Sequence, residues 1–343
     1  MLRPTALILS LVLFPLSAAG GRRQPQQLLQ SPVAERGWIV SIDDRRARLS
    51  APDGRRRSFR VRRGERWLGF FEFAGGWVAA GIRPRTETLD LSLVADLGRG
   101  PRRLRPPLDR QGALRTGPTP VVYSAGLAGL VWLEGDEMRR LSVRAAAFEN
   151  GSFAEVVTVS EPLAGSQTGL SVTVLEDGSW LLVWSRFDGQ DDEIYWALRS
   201  AAGLWTTPRR LAADNAVPDV TPHVMAHGSG AVIAWSQLRN EYEVVTARFD
   251  TRSWSTPHSL GIAGTISPAF RRLGNDDYLL VRNAWPAGWT AFHLDASGRP
   301  SHFAVVARES PRPPVLRRSG RSALAFEWPN RKEHDALDWE PVR

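Results

Sequence analysis

A pattern of about fifty residues recurs along the chain from Gly69 to the C-terminus. Each copy has an apolar strand that ends on tryptophan or a substitute, followed by a hairpin that closes on Trp and Pro. In the two clearest copies, Trp184 and Trp235 are 51 residues apart, and Trp205 and Trp254 are 49 apart. A period of this length is typical of folds in which each unit buries its apolar surface only against its neighbours.

Two anchor positions extend the pattern to six copies. The first anchor marks the start of a first strand and falls at Gly69, Pro120, Ser171, Pro222, Pro268 and Pro314. The second anchor marks the end of the next strand and falls at Gly81, Trp132, Trp184, Trp235, Arg282 and Phe326. The two anchors stay 12 to 14 residues apart in every copy, which argues against a single duplicated hairpin.

The composition of each copy is that of antiparallel strands. Short runs of Val, Leu, Ile, Trp and Phe alternate with turns such as Glu176–Ser179, and long helix-period segments are absent. We therefore predict an all-β fold, a six-bladed β-propeller of four-stranded antiparallel blades. The large apolar residues at repeating positions are predicted to be structural anchors between blades: Trp132, Trp184, Trp235, Trp205 and Trp254.

The last copy, which begins at Pro314, is too short to hold an outer strand. Residues 37–63 resemble such a strand pair, so we predict that they complete the sheet begun by the C-terminus and close the ring. Seven blades is the alternative, because Gly37-Trp38-Ile39-Val40 also resembles an inner strand. Residues 37–343 are predicted to be a single propeller domain.

The N-terminus has the pattern of a secretory signal peptide. Residues 1–19 combine Arg3, an apolar run from Ala6 to Leu16 and the small residues Ser17-Ala18-Ala19, which predicts cleavage after Ala19. The run is too short for a membrane span. Residues 20–36 are predicted to be a flexible segment, and the mature protein is expected to be secreted or periplasmic.

Cysteine is absent from the chain, which excludes disulfides, thiolate catalysis and Cys-ligated zinc. The formal net charge is +8, and every basic residue except Lys332 is arginine. An arginine cluster between Arg45 and Arg63 lacks interleaved aromatics, so it indicates a solvated face and no nucleic-acid partner is predicted. A polyanion at the cell surface is the alternative partner for this cluster.

Candidate chemical groups are few. His223 and His227 are four residues apart on a predicted strand, but no third ligand stands nearby, so no metal and no cofactor are predicted. Acidic hairpins occur at Asp188–Glu193 and, one repeat later, at Glu241–Glu243. Paired carboxylates could bind Ca²⁺ or act as acid and base, but a repeated feature favours a turn-stabilising role.

The clearest copies carry a family resemblance. Trp184-Ser185-Arg186, then Asp192 to Ala197 and a Gly203-x-Trp205-x-x-Pro208 hairpin resemble the repeats of sialidase-like propellers of the BNR or Asp-box type. The resemblance implies the fold and an Asp-box that stabilises a turn. Sialidases also have an Arg-Ile-Pro motif, three arginines that hold the substrate carboxylate, a Tyr-Glu nucleophile pair and an acid/base Asp. Arg-Ile-Pro is absent here, and only four tyrosines are available.

Two functions follow from these observations. The first is an exported, non-catalytic propeller that binds a protein or glycan outside the cytoplasm through its ring face and loops. The second is a divergent sialidase-like glycoside hydrolase that acts on extracellular glycans. Four arginines that recur at or just after the second anchor are the candidate ligand-binding residues, expected to face the central funnel: Arg83, Arg186, Arg239 and Arg282.

Overall fold

The structure is a computed structural model, and its described strands form six sheets in chain order, of which one has nine strands and consists of two blades. It describes residues 27–33, 37–43, 45–51, 53–85, 88–107, 113–162, 165–213, 215–285, 287–306, 308, 313–319, 323–327, 334–337 and 339–342. The predicted signal peptide lies outside these residues. The described part of the chain has no helix with the length and apolarity that crossing a bilayer requires.

Each blade is built by pairing consecutive strands in antiparallel order. Blade 1 contains β1 (Gln27–Gln30), β2 (Ile39–Ile42), β3 (Arg46–Ser50) and β4 (Arg56–Arg60). Blade 2 contains β5 (Arg66–Phe73), β6 (Gly76–Pro84), β7 (Leu89–Asp96) and β8 (Pro101–Leu104). Blade 3 contains β9 (Leu114–Tyr123), β10 (Gly126–Gly135), β11 (Ser142–Glu149), β12 (Ser152–Phe153) and β13 (Val157–Ser160).

The remaining blades repeat this plan with small changes at the C-terminus. Blade 4 contains β14 (Gln167–Val174), β15 (Trp180–Phe187), β16 (Asp192–Arg199) and β17 (Arg209–Arg210). Blade 5 contains β18 (Asp219–His227), β19 (Gly230–Leu238), β20 (Tyr242–Phe249) and β21 (His258–Ala263). Blade 6 contains β22 (Thr265–Leu273), β23 (Asp276–Asn283), β24 (Gly288–Leu294) and β25 (Pro300–Val306). Blade 7 contains β26 (Val315–Ser319), β27 (Ala323–Glu327) and β28 (His334–Ala336), and β29 (Glu340–Pro341) returns to the outer edge of blade 6.

The first strand of each blade is its inner strand. The inner strands β1, β5, β9, β14, β18, β22 and β26 contact one another in this order, and β26 contacts β1 again. This arrangement is a closed ring. The prediction of a β-propeller with antiparallel, mostly four-stranded blades is confirmed. The six sheets contain seven blades, the number that the sequence left open as an alternative, because blades 2 and 3 are joined into one sheet by a single parallel pairing of Leu89 with Leu114.

The way the ring closes differs from the prediction. Residues 37–63 do not complete the C-terminal sheet, because β2, β3 and β4 pair with β1 in a sheet of their own. Strand β1 lies within the segment 20–36 that was predicted to be flexible, so that boundary is corrected: the propeller includes Gln27–Gln30. The two chain ends meet through one side chain instead. The Gln30 amide donates to Leu316 O at 2.8 Å and accepts from Leu316 N at 3.0 Å.

The hydrophobic core lies between blades rather than within them. Six clusters of buried side chains each join one blade to the next, from the blade 1–2 interface to the blade 6–7 interface. Trp132, Trp184 and Trp235 are fully buried in three of these clusters. Two outer tryptophans extend this packing, because Trp205 lies edge-on to Trp180 and Trp254 lies edge-on to Trp196, each at 6.2 Å between ring centroids. A blade face with no neighbouring blade would expose this apolar surface.

The Gln30 bridge predicts a local weak point. We expect Gln30→Ala to lower the free energy of unfolding by about 2 kcal/mol, because it leaves two buried backbone groups of Leu316 without partners. Urea denaturation measures this loss. Hydrogen exchange should then increase in β1 and β26 before it increases elsewhere.

Gln167→Ala is the matched control for this experiment. The Gln167 amide is also buried and donates to Leu141 O at 3.0 Å and to Ser160 O at 3.1 Å, far from the chain ends. It should destabilise the protein without selective exchange at β1 and β26. Equal exchange patterns in the two variants would contradict a ring held closed by Gln30.

Candidate functional site

The inner strands enclose a central channel, a cavity of about 510 Å³ that is lined by residues of all seven blades. All six first anchors from the sequence lie in this wall: Gly69, Pro120, Ser171, Pro222, Pro268 and Pro314. The wall is mostly apolar, with hydroxyls from several Ser and Thr residues. Among the described residues that line the channel, two carry an ionisable side chain, His223 and Arg271, and none is Asp or Glu.

A backbone bulge shapes the inner strands of blades 3 to 6. Pairing with the second strand shifts register at this point, and a residue in the left-handed region occupies each bulge: Gly117, Gly169, Thr221 and Ser267. Thr221 and Ser267 are not glycine, so this conformation costs about 1 kcal/mol each. Hydrogen bonds with Ser236 offset the cost: the hydroxyls of Thr221 and Ser236 share one at 2.8 Å, and the Ser267 N–H donates to Ser236 Oγ at 3.0 Å. The bulges hold the following residues, including His223 and Arg271, at fixed heights in the channel.

Arg271 is a buried cation in the channel wall. Its side chain is 9% exposed, and its Nη1 donates to Phe270 O at 2.7 Å. Burial lowers the pKa of Arg271 to about 10, so the guanidinium remains charged at neutral pH.

His223 lies on the neighbouring inner strand and contacts the same segment. The Phe270 N–H donates to His223 Nδ1 at 3.4 Å, which leaves the proton of the neutral ring on Nε2. Burial and the nearby Arg271 cation lower the pKa of His223 to about 3. The histidine is therefore a neutral hydrogen-bonding group at physiological pH. The sequence singled out His223 as a weak metal ligand, and the described residues contain no group of three side chains that could hold a metal.

The four arginines predicted to bind ligand do not line the channel. Arg83, Arg186 and Arg282 lie near the ends of second strands, and Arg239 follows the end of β19. Arg186 is buried with its guanidinium 4.7 Å from the Tyr195 ring centroid, whereas the Arg239 side chain is mostly exposed with Nε 3.3 Å from Glu243 Oε1. These arginines are distributed over four blades. Ligand binding by these arginines remains a prediction, and the four do not share a site in the channel.

The acidic hairpins have local roles in the structure. Asp188 accepts from Gln190 N at 3.0 Å and pairs with Arg210 at 2.7 Å, and Glu243 accepts from Ser259 Oγ at 2.6 Å. A buried carboxyl that the sequence did not single out is Asp219, at the start of β18. Burial raises its pKa to about 6, although Gln237 and Asn215 donate to it. None of these carboxyl groups lines the channel.

The arginine cluster of the N-terminus forms an exposed face of blade 1. In the pairing of β3 with β4, Arg46 stands directly opposite Arg60. Asp43 pairs with Arg48 at 2.6 Å, but Arg46 and Arg60 have no carboxylate partner among the described residues. Like charges directly opposite each other destabilise a strand pair.

Comparisons with known proteins do not define a family. No protein-family model matches the chain, and no curated protein matches it. A puromycin-hydrolysing peptidase of Mycobacterium tuberculosis is similar in structure with a TM-score of 0.53 and 16% identity, covering 90% of this chain and 50% of that chain. The fucose-binding lectin of Aleuria aurantia, a six-bladed propeller, aligns with a TM-score of 0.47 and 14% identity over 84% of this chain and 97% of that chain. At these identities the similarity concerns the fold alone.

The neutral His223 predicts how stability depends on acid. Its pKa is lower in the folded state than the ordinary 6.5, so the unfolded chain binds a proton that the folded chain does not. The contribution of neutral His223 to the free energy of unfolding is fully present above the unfolded-state pKa of 6.5 and is lost as the pH falls towards about 3. We expect the free energy of unfolding to fall less steeply below pH 6.5 in His223→Gln than in the unchanged protein, by up to about 1.4 kcal/mol per pH unit. Exposed His258→Gln is the control, and an unchanged slope in His223→Gln would refute the assignment.

The opposed arginines give a second prediction. We expect Arg60→Glu to stabilise the protein by about 0.2–1 kcal/mol at low salt, because it replaces a like-charge pair across β3 and β4 with an ion pair. The gain should shrink in about 1 M salt, where the Debye length is about 3 Å. Arg56→Glu is the control, because Arg56 stands opposite Ser50. Thermal melts at both salt concentrations compare the variants, and equal gains would show that only net charge matters.

Proposed function

We propose that this protein is a non-catalytic propeller that binds a glycan in its central channel. The observation that carries the proposal is the chemistry of the channel wall, which combines apolar side chains with hydrogen-bond donors and has no carboxylate in the part of its lining that the structure describes. A cavity of about 510 Å³ is within the range of about 300–1,000 Å³ that is common for small-molecule sites.

Hydrolysis of a glycosidic bond has different requirements. It normally needs two carboxyl groups about 5–9.5 Å apart on either side of the bond. A sialidase-type reaction also needs a tyrosine nucleophile, and none of Tyr123, Tyr195, Tyr242 and Tyr278 lines the channel. Tyr195 instead stacks on Trp184, and Tyr278 packs against Trp339. These contacts favour binding over the hydrolase that the sequence left as an alternative.

The proposal includes export of the protein from the cytoplasm. Its support is the sequence of residues 1–19, with cleavage expected after Ala19. Expression of the full chain, cell fractionation and N-terminal sequencing check it. A mature N-terminus at Gly20 in the exported fraction is the expected result, and an intact Met1 in the cytoplasm contradicts export.

Binding is tested on a glycan array with the purified mature protein and with one channel variant. Thr119 is half-buried in the channel wall, so Thr119→Trp should fill the cavity and reduce binding at least tenfold, about 1.4 kcal/mol. Thr256→Trp, at an exposed turn, is the matched control and should bind normally. Full binding by Thr119→Trp would place the ligand outside the channel. Turnover of a fluorogenic sialoside by the unchanged protein would overturn the non-catalytic assignment.

A further inference from the structure

Arg271 departs from a position that is apolar in the neighbouring blades. The residue two places before the end of the inner strand lines the channel in blades 2 to 6, and these residues are Phe71, Val121, Val172, Met225 and Arg271. Four of the five are apolar. An apolar residue that recurs at this position serves the packing that all blades share. An arginine at the same position in one blade is not required for that packing.

Arg271 has no carboxylate partner among the described residues. Its Nε has no hydrogen-bond acceptor there, and none of the described residues that line the channel beside it is a carboxylate. The next residue, Arg272, faces the other side of the strand and bonds to both carboxylate oxygens of Asp277, at 2.6 and 2.7 Å. Arg115, also buried, pairs with Glu134 at 2.5 Å. A buried and unpaired charge is strongly destabilising, so Arg271 is a poor structural residue.

His223 supplies a second donor close to Arg271. It lines the channel four residues before the end of its inner strand, whereas Arg271 lies two residues before the end of the neighbouring inner strand. Its Nδ1 faces the Phe270 N–H, and its Nε2 makes no hydrogen bond with the described residues. The guanidinium of Arg271 and the Nε2–H of His223 are thus donors at the boundary between blades 5 and 6.

We propose that Arg271 and His223 bind the carboxylate of a monoanionic ligand in the central channel. A guanidinium matches the two oxygens of a carboxylate geometrically. One cation among the ionisable lining residues balances one negative charge, which favours a carboxylate over a phosphate dianion. The carbon body of the ligand would pack against the apolar ring that contains Phe71 and Val172. This inference rests on the proposed function and specifies its ligand as an acidic glycan with a terminal uronic acid.

The test compares probes that differ in the carboxylate alone. We expect NMR titration to show that methyl glucuronide binds the full mature protein at least tenfold more tightly than methyl glucoside. Cyclohexanecarboxylate, which has no sugar hydroxyls, should bind at the same place. Inorganic phosphate should bind more weakly than either carboxylate, and preferential binding of phosphate would overturn the assignment to a carboxylate.

Arg271→Met is the decisive variant, because methionine occupies the equivalent position in blade 5 as Met225. It should remove the preference for methyl glucuronide, and it should raise the melting temperature of the free protein because a buried unpaired charge is removed. Arg271→Lys should retain part of the preference, and Arg252→Gln, at an exposed turn, should leave it unchanged. A lower melting temperature with an unchanged preference in Arg271→Met would show that Arg271 is structural and overturn the proposal.

The outcomes separate this inference from the proposed function. Equal binding of methyl glucuronide and methyl glucoside would overturn the carboxylate site while leaving glycan binding intact. Arg271-dependent binding of cyclohexanecarboxylate, without binding of any glycan on the array, would support the carboxylate site and overturn glycan binding. Absence of binding by all the carboxylate probes would overturn the inference outright.

Discussion

Contact between the apolar faces of successive sheets is the interaction on which this structure depends. Each of the six buried clusters takes side chains from two blades, so no sheet completes its core alone. The contact between the first and last blades therefore matters to the whole ring. Among the described residues, the two blades do not share a sheet and are joined by the paired hydrogen bonds between Gln30 and Leu316.

The repeat was visible in the sequence where packing demands the same large residue in every copy. Trp132, Trp184 and Trp235 are such residues, and each fills an interface between blades. Blade 1 lacks this signal, because its tryptophan, Trp38, precedes the second strand and its outer strands are rich in arginine. The last copy seemed to lack an outer strand, and this led to the wrong prediction that residues 37–63 complete its sheet. In the structure β28 is the third strand of blade 7, and β29 extends blade 6.

The candidate site was harder to predict for the same physical reason. Periodic residues indicate what the fold requires, so arginines that recur at a strand end, such as Arg186 and Arg239, were found first. Arg271 does not recur, and in the sequence Arg271 and Arg272 resemble an ordinary pair of adjacent charged residues. Only the pairing of Arg272 with Asp277 and the isolation of Arg271 in the channel wall separate the two. Side chains alternate between the two faces of a strand, so the sequence implies that Arg271 and Arg272 face opposite sides. Which of the two faces the channel follows only from the register of β22.

Channel residues such as Val121 and Met225 also pack between blades, but Arg271 lies in none of the six buried clusters. A change at Arg271 therefore alters the channel without removing a residue from the indole-filled interfaces at Trp184 and Trp235, and this explains how a repetitive fold can acquire a unique site. The strained bulges at Thr221 and Ser267 fix the backbone just ahead of the channel residues, and both depend on Ser236 for their hydrogen bonds. A charge held at such a fixed place loses little entropy when a ligand arrives. The proposed carboxylate would also offset the free-energy cost of burying the Arg271 charge without a counterion.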